Sequence, residues 1–201
     1  IQYRVILMAG KQAKILSSAQ QKVVMLYLGT TRNSTRNRCA FLLSYKAGLR
    51  AKEIASLLWR HLTDSEGNLT NEIVVEDKGS KGKSGRVVPM NKDLRTELLK
   101  LQVFLNPKPQ DPVFHSERMR SNVSSQTIVD FFADLYAKLG FEGASSHSGR
   151  RTFITNTARK ITTVGGSLRD VKDLAGHSSL QTTQLYIDAD ERAKQLVVNV
   201  I

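Results

Sequence analysis

The sequence predicts an α+β chain, mainly α-helical, with a small antiparallel β-hairpin and no boundary that splits it into two domains. Two observations carry this. Apolar residues recur at helical spacing in several segments that open on Ser or Thr, and some of these close on Gly. Two short β-type runs, residues 72–75 and 86–89, flank a loop rich in Gly, Ser and Lys.

In order, Ser17 and Ser18 cap a helix through Val23, Val24, Leu26 and Tyr27 that stops at Gly29. Ser34 or Thr35 caps a second carrying Cys39, Phe41, Leu42 and Leu43, and a third spans residues 51–59 with Ile54, Leu57 and Leu58 on one face. The β-runs follow, joined by a basic hairpin loop over residues 77–85. A helix is predicted over residues 91–105. Residues 106–112 hold three of the four prolines and form a loop. Ser124 or Ser125 starts a helix through Ile128, Phe131, Phe132, Leu135 and Leu139, ended by Gly140. Further helices are predicted over 148–160, 168–175, 179–187 and 190–197. Residues 1–14 read as an extension or linker, 15–189 as the domain and 190–201 as a tail.

Composition narrows the function. Thirty Lys and Arg stand against 18 Asp and Glu, a net charge of +12 with an isoelectric point near 10.0. The basic residues are spread along the chain, which predicts a folded basic surface and a polyanionic partner, nucleic acid first and a membrane surface or acidic protein second. No run reaches the ~18 apolar residues of a membrane span. One cysteine, Cys39, excludes an internal disulfide and any Cys-rich zinc site. It is predicted to be a core thiol, which fits a cytoplasmic setting.

Chemistry on a phosphodiester needs cations aimed at the non-bridging oxygens, a nucleophile in line and an acid for the leaving oxygen. Three segments supply these types. In the first, Arg50 opens a helix with Glu53 one turn on, able to hold the guanidinium. The second has His147 and Arg150 three apart, on one helix face. In the third, His177 follows Gly176 and precedes Tyr186 by nine residues, an interval that two short helices would fit, the second capped by Ser178 or Ser179. Taken singly, each residue has a structural reading: a surface ion pair for Arg50 and Glu53, a helix-start histidine for His147, a core tyrosine for Tyr186. His61 and His115 read as structural or surface residues.

Together the segments, GLRAKE, HSGR and AGHSSLQTTQLY with a lysine hairpin between the first two, resemble the tyrosine recombinase (phage integrase) family in order and spacing. The resemblance covers residues 15–197 and implies that family's catalytic-domain fold. It implies that Arg50 and Arg150 clamp the scissile phosphate, His177 hydrogen-bonds a non-bridging oxygen, His147 assists proton transfer, and Tyr186 forms the covalent 3′-phosphotyrosyl bond. It assigns protonation of the leaving oxygen to Lys81, which lies eight residues before Pro89; Lys78 and Lys83 share that loop, and the choice among them stays open. Glu53 supports Arg50, while Lys78, Lys83, Arg86 and Arg151 are candidate DNA contacts. Where the family often has leucine before the second arginine and histidine after it, this chain has Gly149 and Arg151.

The implied activity is site-specific DNA recombination by a bacterial or phage-encoded enzyme, without metal or other cofactor. The partners are DNA, three further copies in a synaptic homotetramer, and no membrane, with a monomer free in solution. The alternatives are a non-catalytic DNA-binding module of the same fold and DNA relaxation of the type IB topoisomerase kind. The tail is predicted to dock on a protomer. Family members usually carry a core-binding domain ahead of the catalytic one; the chain reads either as a fragment of such a protein or as a short member.

Overall fold

The computed structural model describes residues 13–76, 85–116, 121–186 and 198. The observed elements are α1 (Ser18–Gly29), α2 (Ser34–Ala47), α3 (Ala51–Ala55), a 3-10 turn (Trp59–His61), β1 (Glu72–Val75), β2 (Arg86–Pro89), α4 (Lys92–Leu105), α5 (Ser125–Lys138), α6 (Ser148–Lys160), a second 3-10 turn (Ile161–Val164), α7 (Leu168–Ala175) and α8 (Leu180–Gln184). Among the described residues no helix is long and apolar enough to cross a membrane.

Helix α2 forms the axis of the main core. Its run from Cys39 to Tyr45 is buried on every face, because α6, α4 and α1 enclose it. Phe41, Leu42 and Leu43 are fully buried, with Trp59, Phe114, Phe132 and Tyr136 from the surrounding elements. Cys39 is fully buried too, and burial pushes its thiol pKa well up. Strands β1 and β2 pair antiparallel with Ile73 opposite Val88 and Val75 opposite Arg86. Ile73, Val75 and Val88 face the core while Val74 and Val87 face outward, the alternation of a half-buried hairpin. A second, smaller apolar cluster joins α6 and α7 through Ile154, Val171 and Ala175, with Phe153, Ile161, Leu168 and Tyr186 packed on it.

Several predicted boundaries are corrected. Helix α3 stops at Ala55 instead of running to 59. The chain beyond it pairs with the proline-rich loop: Trp59 N–H donates to Asp111 O, Arg60 N–H to Pro109 O and Val113 N–H to Leu57 O. These cross-chain bonds replace helical ones, so tertiary pairing overrides the local apolar spacing. Helix α2 begins at Ser34 itself, so neither Ser34 nor Thr35 caps it; Asn33 holds the cap position and makes no side-chain cap bond. Helix α8 ends at Gln184, short of the predicted residue 187. Ser17, Ser124 and Ser179 do cap α1, α5 and α8 through their hydroxyls. The helix predicted over 190–197, the proposed docking tail, lies outside the described residues, as does residue 187. His61 is structural: its Nδ1 accepts from Leu58 N–H at 3.1 Å.

The segment ahead of α1 is fastened to α6 and the loop before it. Lys14 N–H donates to Gly143 O at 3.0 Å, and Arg151 Nη1 to Ala13 O at 3.0 Å. Leu16, buried, donates its N–H to Thr152 Oγ1 at 2.8 Å, and that hydroxyl donates to Ser148 O at 2.7 Å. Thr152→Val keeps the shape but strands the buried Leu16 amide, so it should lower stability by about 1–3 kcal/mol. Urea unfolding checks this: the midpoint should fall at unchanged slope, and Thr152→Ser should recover most of the loss.

Candidate active site

The turn between α2 and α3 sets the first arginine. Gly48 ends α2 in the left-handed region at φ 67°, and a Cβ there would lie 2.4 Å from the Phe153 ring of α6. Glycine therefore serves both the turn and the close approach of α6. Leu49 is buried and Arg50 falls at the N-cap of α3, its side chain partly exposed. The predicted Arg50–Glu53 pair is present: Arg50 Nη1 donates to Glu53 Oε1 at 2.9 Å, and Arg50 N–H donates to Glu53 Oε2 at 2.7 Å.

Glu53 does more than hold Arg50. Arg86 donates Nη1 and Nη2 to its two oxygens at 2.8 and 2.9 Å, a bidentate fork. Arg86 also donates Nε to Leu174 O at 3.0 Å, and its side chain is 13% exposed. Its donors thus face protein acceptors beneath the surface, where the sequence reading expects a DNA contact. The sequence held one signal for this: on β2, Arg86 shares the inward face with Val88 at period two. Burial alone would raise the Glu53 pKa, but hydrogen bonds and charge from Arg86, then Arg50, pull it down to about 2.

Arg150, on the first turn of α6, is 4% exposed. Its Nη1 donates to Gly48 O and its Nη2 to Ala175 O at 2.7 Å. Arg50 Nη2 reaches Gly176 O at 3.4 Å. Three successive carbonyls, of Leu174, Ala175 and Gly176, thus hold Arg86, Arg150 and Arg50. The end of a helix leaves such carbonyls without helical partners and carries partial negative charge, which suits cations. Burial, then Arg50, lowers the Arg150 pKa to about 10, so it stays charged at neutral pH. Gly149 accounts for the departure from leucine beside it: a Cβ there would lie 2.5 Å from Ser44 Oγ of α2. The glycine lets α6 seat Arg150 against the end of α2.

His177 follows Gly176 and is 7% exposed. Its Nδ1 lies 2.9 Å from the hydroxyl oxygen of buried Thr183, a contact that sequence reasoning missed. Burial first, then Arg150, Arg50 and Arg86, pushes its pKa down to about 4, so the ring is neutral at pH 7. Its ring stacks on that of Tyr186, centroids 5.4 Å apart and planes at 26°. Tyr186 is half-buried, and its backbone O accepts from Thr155 Oγ1 at 3.1 Å. It borders an open pocket of about 340 Å³ whose lining includes His147, Arg150, Arg151 and Ala13. His147 is exposed at the N-cap position of α6. Arg151 is half-buried, with one nitrogen on Ala13 O.

The structure thus gathers Arg50, Glu53, Arg86 and Arg150 around the end of α7, with His177 near enough to feel their charge, Tyr186 against His177 and His147 on the Tyr186 pocket. Lys78, Lys81 and Lys83 lie outside the described residues. Within the network three guanidinium groups meet the Glu53 carboxylate and carbonyl dipoles, so positive charge is in excess and an anion is the complementary ligand.

The Glu53 pKa is depressed on folding from an ordinary 4.5 to about 2. Its contribution is therefore complete above about pH 4.5 and drains away as pH falls toward 2. Glu53→Gln should cost about 3 kcal/mol at pH 7, and the gap from wild type should close on acidification. Urea unfolding of both proteins across that pH range measures it; a gap that does not change with pH would contradict the assignment.

Residues 13–192 match the phage integrase family. The chain is 28% identical over 174 residues to tyrosine recombinase XerA of Pyrococcus furiosus, covering 85% of this chain and 56% of that protein. It is 33% identical over 170 residues to tyrosine recombinase XerD of Haemophilus influenzae, covering 80% and 53%. The chain therefore spans little more than half the length of these relatives. The crystal structure of XerA recombinase superposes with a TM-score of 0.71 at 26% identity, over 92% of this chain and 64% of that one. XerH site-specific recombinase bound to its difH substrate shares the fold, with a TM-score of 0.72 at 18% identity, over 100% and 57%. The fold is therefore that of tyrosine recombinase catalytic domains, and the chain belongs to the phage integrase family.

Proposed function

We propose that the chain is the catalytic domain of a site-specific DNA recombinase that cleaves and rejoins DNA strands through a 3′-phosphotyrosyl intermediate at Tyr186. The observation that carries this reading is the convergence of Arg50, Arg150 and a neutral His177 beside the Tyr186 ring. A backbone phosphate is an anion that such a set can hold, and the net charge of +12 suits DNA. Structures of the same fold in complex with DNA support the partner, among them lambda integrase on a core site.

In this reading the Tyr186 oxygen attacks phosphorus and the bond to the 5′ oxygen breaks. Arg50 and Arg150 take the non-bridging oxygens, and their charge stabilises the five-coordinate transition state. His177 donates a hydrogen bond to the same group. A free phenol has a pKa of about 10, so it reacts slowly near pH 7 unless a base takes its proton. His147 on the pocket is the candidate for that transfer, and Lys81 is the candidate acid for the leaving oxygen. A 5′-hydroxyl of a partner strand then attacks the phosphotyrosine and releases the phenol. Ester is exchanged for ester, so bond energy is kept without a nucleotide cofactor. Cutting and rejoining four strands calls for a homotetramer on two duplexes, assembled from protomers that are monomers when free.

The test is covalent capture on nicked duplexes of randomised sequence, read on denaturing gels. Wild type should form a protein–DNA adduct and Tyr186→Phe none; an adduct that survives in Tyr186→Phe defeats the reading. Arg150→Ala should slow single-turnover cleavage by about 10²–10³-fold. Its DNA affinity should change far less, because the wider basic surface supplies most of the binding.

A further inference from the structure

The loop after α7 brings His177 to the arginines, and α8 brings Tyr186 to His177. A buried hydrogen bond joins the two elements: His177 Nδ1 lies 2.9 Å from Thr183 Oγ1, with Thr183 fully buried and His177 7% exposed. Thr183 precedes Tyr186 by three residues, and in the turn that follows α8 Tyr186 N–H donates to Thr183 O at 3.1 Å, so the residue that meets the histidine also anchors the tyrosine's backbone. The stacked His177 and Tyr186 rings are a second contact across the same junction.

A neutral imidazole carries its proton on one nitrogen, and the partner of the other nitrogen decides which. A buried hydroxyl must place its proton on an acceptor or lose free energy. Among the described residues, His177 Nδ1 is the acceptor this hydroxyl meets. We infer that Thr183 is a positioning residue: its hydroxyl donates to His177 Nδ1, which fixes the ring proton on Nε2 and holds α8 in register with the phosphate-binding groups. The proton on Nε2 is the one that can be donated to a non-bridging phosphate oxygen. A valine in the same place would fill the space and leave the ring free to carry its proton on either nitrogen. The inference rests on the reading above, in which Tyr186 attacks a phosphodiester beside His177.

Two measurements on the full chain test it. With ¹⁵N-labelled imidazoles at pH 7, wild type and Thr183→Ser should show His177 as the Nε2–H tautomer, and Thr183→Val should shift toward Nδ1–H. On the randomised nicked duplexes, Thr183→Val should form the adduct about tenfold more slowly, Thr183→Ser should restore most of the rate, and Thr183→Val should add nothing to His177→Ala. A wild-type His177 protonated on Nδ1 overturns the inference, whatever the stability of the variants. So does a Thr183→Val that slows the His177→Ala protein as much as it slows wild type. A tyrosine-independent adduct defeats the functional reading instead and leaves the tautomer measurement to stand by itself.

Discussion

The last turn of α7 is the platform on which the site is assembled. The carbonyls of Leu174 and Ala175, and that of the capping Gly176, accept from three guanidinium groups that arrive from β2, α6 and the start of α3. Left alone, three like charges this close would repel. Two features make the cluster stable. The helix end presents partial negative charge where the arginines dock, and Glu53 lies against two of them with both oxygens engaged. The balance is deliberately incomplete in the physical sense: one carboxylate faces three cations. An anion entering the site would meet that uncompensated positive charge without the protein having to gather its cations first.

The same contacts join the two apolar clusters. The main core surrounds α2, and the smaller one lies between α6 and α7. Arg150 reaches from α6 to the ends of both α2 and α7, through Gly48 O and Ala175 O. Arg150 is thereby a structural tie between the two clusters. The close approach of α6 to α2 depends on small residues at Gly48 and Gly149, where a side chain would meet Phe153 or Ser44. Stability and site geometry are set by the same few contacts, and substitutions there act on both.

Much of this was legible from residue types and spacing. The Arg50–Glu53 pair follows from a helix start with an acid one turn on, and the structure has it. The start of α6 at His147 puts Arg150 one turn inward, also as spacing implies. What escaped the sequence was set by partners distant in the chain. Helix α3 ends early because residues 57–60 pair with 109–113, which no local pattern announces. Arg86 reads as one more basic residue beside a basic loop, yet its fork is closed on Glu53, 33 positions earlier. Thr183 looks like an ordinary polar helix residue until the loop before α8 folds His177 onto it. Burial of polar groups is a tertiary fact, and the sequence carries little local trace of it.

Cys39, fully enclosed in α2, gives the molecule a built-in clock. It is the chain's single thiol, so an alkylating reagent in the native protein finds no other sulfhydryl to modify. Its burial also disfavours the reactive thiolate. Modification therefore waits for α2 to come away from α6 and α4, and its rate reports how often the main core opens. Fraying at the surface leaves that rate untouched.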